Sequence, residues 1–139
     1  VSVHTQRIEL SSRGHADVID VTERVRDAVS ASGLQNGIGC LFVPGATGAV
    51  TTLEYEPGCV ADLRHLFDQL APPNRDYEHE RAWGDGNGHS HLRAALLGPS
   101  LSFPFSAGEP LLGTWQQMVF VDFDNRKRSR ELIVQLVGE

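Results

Sequence analysis

Residues 100–139, SLSFPFSAGEPLLGTWQQMVFVDFDNRKRSRELIVQLVGE, decide the fold class. Within them Ser100–Phe105, Pro110–Leu112, Trp115–Phe123 and Glu131–Val137 are short, largely apolar runs separated by stretches carrying Gly or Asn, and they read as strands. Upstream, Val3–Leu10 comes close to alternating apolar and polar residues, as a half-buried strand does. Gly37–Val43 is a continuous apolar run bounded by Gly and Pro, and Ala49–Tyr55 is rich in β-branched residues; both predict strands. Between these runs lie two helical patterns. Val21, Val25, Ala28 and Val29 share one face, with Asp20 as the predicted cap, Glu23 three residues on, and Gly33 as the stop. Val60, Leu63, Leu66, Phe67 and Leu70 recur at helical spacing until Pro72-Pro73, whose missing amides end the helix. Strand, helix, strands, helix, loop, strands is the order of an α+β fold with a largely antiparallel sheet.

A chain of 139 residues is one domain, 1–139, and is long enough to bury roughly 70% of its unfolded surface. Its apolar fraction of 40% and charged fraction of 22% are those of a globular chain. Twelve Lys and Arg against eighteen Asp and Glu leave a charge of −6, which argues against a nucleic-acid binder. No run reaches the roughly 18 apolar residues of a membrane span. The opening Val1-Ser2-Val3-His4-Thr5-Gln6 has no basic region followed by an apolar block, so a cytoplasmic protein is expected. Cys40 and Cys59 lack metal-knuckle or redox spacing; two buried thiols are expected ahead of a disulfide.

The chemistry concentrates in residues 71–90, a connection long enough to look functional, and in the residue that follows it. Tyr77-Glu78-His79-Glu80 and Asp85-Gly86-Asn87-Gly88-His89-Ser90-His91 supply three imidazoles and several carboxylates. Three such ligands bind zinc or a related metal and leave a coordination position open. His89 and His91 share a face on a strand but point apart on a helix, and His89–Leu97 has the look of a short helix. Gly84, Gly86 and Gly88 would let His79 fold back onto them. A polar surface loop with uncoordinated histidines is the competing reading. Elsewhere, Glu54 stands at a strand end as a candidate general base or ligand, or as an ordinary exposed carboxylate. If the final strand begins by residue 126, Arg126, Arg128 and Arg130 lie on one face and suit a phosphate or pyrophosphate. The alternative there is a charged hairpin guarding a sheet edge. Thr114, Trp115 and Gln116 would line a polar pocket, unless Trp115 belongs to the core.

Tyr77-Glu78-His79, Gly88-His89-Ser90-His91-Leu92, Leu97-Gly98-Pro99-Ser100-Leu101, Leu112-Gly113-Thr114-Trp115-Gln116 and Val134–Glu139 together resemble the YjbQ family along the whole chain. The resemblance implies an α+β fold dominated by a β-sandwich, assembled as a homotrimer, with histidines binding a divalent metal at a cleft between subunits. It also implies a secondary thiamine-phosphate synthase activity, which joins an aminopyrimidine pyrophosphate to a thiazole phosphate and releases pyrophosphate. Zinc is the expected metal, with magnesium as an option for the transfer reaction. On this reading His79 and His91 match family histidines, and Glu54 matches a family glutamate. Glu54 and His91 are the expected catalytic groups; Thr114, Gln116, Arg126 and Arg128 the expected substrate contacts; His79, His89 and His91 the expected metal ligands. The sequence departs at Gly45-Ala46-Thr47-Gly48-Ala49, where glycine stands in place of the family's remaining histidine. Either His89 replaces it, or the metal is weak or absent. The other functions the sequence leaves open are a metal-dependent hydrolase of a phosphorylated small molecule and a non-catalytic trimer binding a metal or an anion.

Overall fold

The computed structural model describes residues 1–139. The chain runs β1 (Ser2–Ser12), β2 (Asp17–Asp20), α1 (Thr22–Ser32), β3 (Gly37–Phe42), β4 (Gly48–Leu53) and α2 (Pro57–Leu70). It continues through α3 (Glu78–Ala82), α4 (Gly88–Leu97), β5 (Ser100–Ser106), β6 (Glu109–Pro110), β7 (Gln117–Asp122) and β8 (Arg128–Gly138). Two sheets form, ordered β1-β8-β3-β5-β6 and β2-β7-β4. Every strand pair is antiparallel. The α+β class read from residues 100–139 holds, and both expected helices are present.

The three-stranded sheet is the middle layer, and β7 shows why. Its side chains alternate with the two-residue period of a strand, and both sets are buried. Met118 and Phe120 join a core with Ile8, Leu41, Leu132, Val134 and the α1 residues Val25 and Val29, against the five-stranded sheet. Val119 and Val121 face the other way, into a second core with Ala49, Phe67 of α2 and Ala94 of α4. A strand buried on both faces reads as a continuous apolar run, which is what residues 118–121 are. Trp115, by contrast, lies in the turn before β7 and is 72% exposed, so it forms no part of the core.

Five local expectations are corrected. Asp20 caps α1 from one position further out than predicted: Val21 precedes the helix, and Asp20 Oδ1 accepts from Thr22 N at 3.0 Å and Thr22 Oγ1 at 2.6 Å. Glu23 pairs with Arg26 at 2.7 Å instead of closing a capping box. Residues 71–90 are not a structureless connection, because they contain α3 and the start of α4. The final strand begins at Arg128 rather than by 126, so Arg126 sits outside it. Cys40 and Cys59 are free thiols and are half-buried rather than buried. No helix is long and apolar enough to cross a membrane.

Candidate metal centre

The site begins with the contact between α3 and α4. Glu80 Oε1 accepts from Gly88 N at 2.8 Å, drawing the two helices together. A Cβ at position 88 would meet Glu80 Oε2 at 2.5 Å and Tyr77 Cβ at 2.6 Å, so only glycine permits this approach. The intervening chain turns back through Gly84 and Gly86, both at positive φ. His79 on α3 and His91 on α4 therefore meet, with ring centroids 4.5 Å apart. His79 Nε2 also lies 3.1 Å from Asp85 Oδ1. The ligand atoms of His79, Asp85 and His91 all fall within 4.8 Å of one another. Two imidazoles and one carboxylate in a partly exposed position fit a divalent ion with coordination positions to spare.

Asp85 is held for this position. Its Oδ1 accepts from Asn87 N at 3.0 Å, the two-residue Asx turn that an Asp-Gly-Asn sequence favours. That hydrogen bond lowers the Asp85 pKa; partial desolvation opposes it, and His79 lowers it further. Asn125 Nδ2 grips the Asp85 carbonyl at 2.7 Å. Asn87 is the organiser: its carbonyl accepts from His91 N at 3.1 Å, and its Oδ1 accepts from Asn125 N at 3.0 Å. Its Nδ2 reaches the buried Asp124 at 3.4 Å.

Behind Asn87 lies a buried charge network. Arg130 makes a two-pronged contact with Asp122, Nε to Oδ2 and Nη2 to Oδ1, each at 2.8 Å. Asp122 is fully buried and also accepts from Ser12 Oγ. Arg128 Nη2 lies 3.0 Å from Asp124 Oδ2, which also accepts from Thr47 Oγ1 at 3.0 Å. Burial pushes the Asp124 carboxyl up, but the bonds from Arg128 and Thr47 outweigh it and hold its pKa below the usual range. The Asp122 hydrogen bonds raise the Arg130 pKa against the opposing effect of burial.

The predicted site residues divide. His79 and His91 come together as expected, but His89 does not join them. Residues 88–97 form a helix, so side chains two apart point about 200° apart. His89 is buried at 5% exposure, its Nδ1 without a partner. Burial, with the Arg93 and His15 charges, lowers its pKa against Glu80 and Asp68. Glu54 is exposed just beyond β4, whereas His91 borders a pocket with Gly45 and Gly48 at the start of that strand. Six strand residues, about 20 Å, separate the two ends. Thr114 and Gln116 are exposed at the Glu54 end: Gln116 Nε2 donates to Thr52 Oγ1 at 3.3 Å, and Leu53 pairs with Gln117. Arg128 is engaged with Asp124, and Arg126 is exposed in the turn before β8. The reading of residues missed Asp85 as the third converging donor, although its Asp-Gly-Asn turn between two histidines was the signal.

The family description "UPF0047 protein YjbQ-like" matches residues 6–139. The chain belongs to the YjbQ family. A UPF0047 protein of Methanothermobacter thermautotrophicus is 33% identical over 139 residues, covering 100% of this chain and 95% of the relative. One from Mycobacterium tuberculosis is 38% identical over 117 residues, covering 83% of this chain and 86% of its own. The fold is similar to the crystal structure of a YbjQ-like protein of unknown function from Sulfolobus solfataricus, with TM-score 0.94, 32% identity and 99% of each chain covered. The chain thus carries its converging donors on a scaffold that the Sulfolobus protein shares along 99% of each chain.

Proposed function

We propose that this protein is a divalent-metal enzyme acting on a phosphorylated small molecule, with the ion held by His79, Asp85 and His91. The observation that carries this reading is the convergence of those three ligand atoms within 4.8 Å. The imidazole pair favours zinc or a neighbouring transition metal over magnesium, which prefers oxygen ligands. A bound ion would supply positive charge to phosphate oxygens, the electrostatic role that phosphoryl or pyrophosphate departure needs. Within the chain, Asn87 orients Asp85, while Asp124 and Arg130 anchor Thr47 in the segment facing His91. The reaction favoured by the family resemblance is thiamine-phosphate synthesis from an aminopyrimidine pyrophosphate and a thiazole phosphate.

Glu54, Thr114 and Gln116 fit the same reading only if a neighbouring copy brings its far sheet end to this centre, as the proposed homotrimer would allow. Support for such an assembly comes from the outer face of the five-stranded sheet, where Val3, Ile38, Phe42 and Val137 are exposed. Arg126, exposed beside the buried pairs, is the guanidinium left to meet a phosphate. The test is product formation from the two thiamine precursors with zinc- or magnesium-supplemented protein. Turnover that disappears in a folded His91→Ala variant supports the reading, and turnover that survives the substitution overturns the centre.

A further inference from the structure

Donors and acceptors along the open edge of β2 do not balance. The strand has a neighbour, β7, on one side only. Its bonds to β7 run through odd-numbered residues, as the Val21 N to Met118 O and His15 N to Asp124 O bonds fix. Val18 therefore turns its N–H and C=O away from β7, toward α2 and the residues leading into it. There a recess of about 530 Å³ opens, walled by the chain after β1, by β2 and by the first turns of α2. It shares no residue with the His79, Asp85 and His91 centre.

The carboxylates and edge carbonyls that border this recess are taken. Val18 O accepts from Tyr55 Oη at 3.1 Å, and Ala16 O accepts from Arg64 Nε at 2.9 Å. Asp17 accepts from Arg13 N at 2.9 Å and from Arg13 Nη2 at 3.4 Å. Glu56 caps α2 by accepting from Gly58 N at 2.8 Å and from Cys59 N. Donors are what remain. Arg13 has Asp17, but Arg64 forms no ion pair, and its Nη1 and Nη2 meet no acceptor in the chain. The N–H of Val18, a residue only 4% exposed, has no acceptor within the chain either. Buried amides are rarely left so.

Strained backbone arranges these donors. Gly14, His15 and Ala16 are three successive left-handed residues, at φ 74°, 54° and 61°, and two of them carry a Cβ. That turn delivers the Ala16 carbonyl to Arg64 Nε and so fixes the half-buried guanidinium. Ala16 O and Val18 N flank a single residue, which sets the guanidinium beside the free amide. Strain held at such a point is a mark of a functional segment. Ile19 and Val60, both half-buried, supply apolar surface to the same recess.

We infer that this recess binds a small organic carboxylate. The terminal nitrogens of Arg64 form a fork that matches the two carboxylate oxygens, and the Val18 N–H adds a third donor. An aliphatic tail then lies against Ile19 and Val60. The site is separate from the metal centre and does not depend on it.

Titration of metal-free, isotope-labelled protein with acetate, butyrate, butanol and inorganic phosphate tests the site, followed by the NMR shifts of backbone amides and arginine side chains. Butyrate is expected to move the Val18 and Arg64 signals along a saturable curve. It should bind about fourfold tighter than acetate, the gain from burying one CH₂. Butanol should leave both signals in place. Arg64→Gln should weaken butyrate binding about tenfold, as the loss of hydrogen bonds to a charged group does. Where thermal unfolding shows that this variant does not fold, Arg64→Lys carries the test; it keeps the charge, loses the fork and should weaken binding by a smaller factor. Unmoved Val18 and Arg64 signals, equal affinity for acetate and butyrate, phosphate bound tighter than butyrate, or unchanged affinity in the folded variant overturns the inference. Because the protein is metal-free, each of these outcomes leaves the metal centre standing.

Discussion

The imidazole rings of His79 and His91 stand 4.5 Å apart, centroid to centroid, at an interplanar angle of 55°. His89, two residues from His91, lies in the interior with Nδ1 unpartnered. His79→Ala, Asp85→Ala and His91→Ala should each weaken zinc binding by about 100-fold or more, since even residues that only orient ligands change affinity by about 10–100-fold. His89→Ala should leave zinc affinity within a few-fold and instead lower stability by about 1–3 kcal/mol, as losses of buried side chains do. Zinc titration and thermal unfolding of the four variants separate the two effects.

Gly45 borders the same recess as His91, and a Cβ there meets only ordinary contacts. Gly45→His should therefore fold and place a further imidazole beside the centre, raising zinc affinity by at least about tenfold. Unchanged affinity in a folded variant would show that position 45 does not reach the ion.

The fold was largely legible because its signals are local. The two-residue alternation, the helical spacing of Val21–Val29 and Val60–Leu70, and the Pro72-Pro73 stop each depend on near neighbours. β2 was missed because four residues, Asp17–Asp20, are too few to show a period. The site was legible in composition but not in partnership. His79, His89 and His91 all belong to the right stretch, yet which of them meet depends on the phase of α4. Asp85 enters through an Asx turn, and Arg128 and Arg130 are engaged by aspartates that the next turn brings into place. Ligand identity and free charge are set by contacts that periodicity does not encode.

Arg130 is 15% exposed at its side chain and grips a fully buried Asp122 through two nitrogens. Removing it strands a buried carboxylate, so Arg130→Ala should cost about 3–5 kcal/mol of unfolding free energy. Arg126→Ala, at an exposed turn position, should stay within about 0.5 kcal/mol. Urea unfolding of both variants measures the difference.

Asp124 has a native pKa below its unfolded value, so between the two values the unfolded chain binds more protons. Its contribution to stability is present above the unfolded value of 3.8 and is lost as the pH falls through the lower native value. Stability against urea should drop on the acid side of that point, and Asp124→Asn should flatten the drop while lowering stability at neutral pH. An unchanged acid limb in the variant would remove Asp124 from the account.

The most direct measurement is a crystal structure of the zinc-loaded protein with its anomalous signal. One ion is expected within about 2.0–2.2 Å of an imidazole nitrogen of His79, an imidazole nitrogen of His91 and an Asp85 carboxylate oxygen. No ion at these residues, or an ion bound through His89, would contradict it.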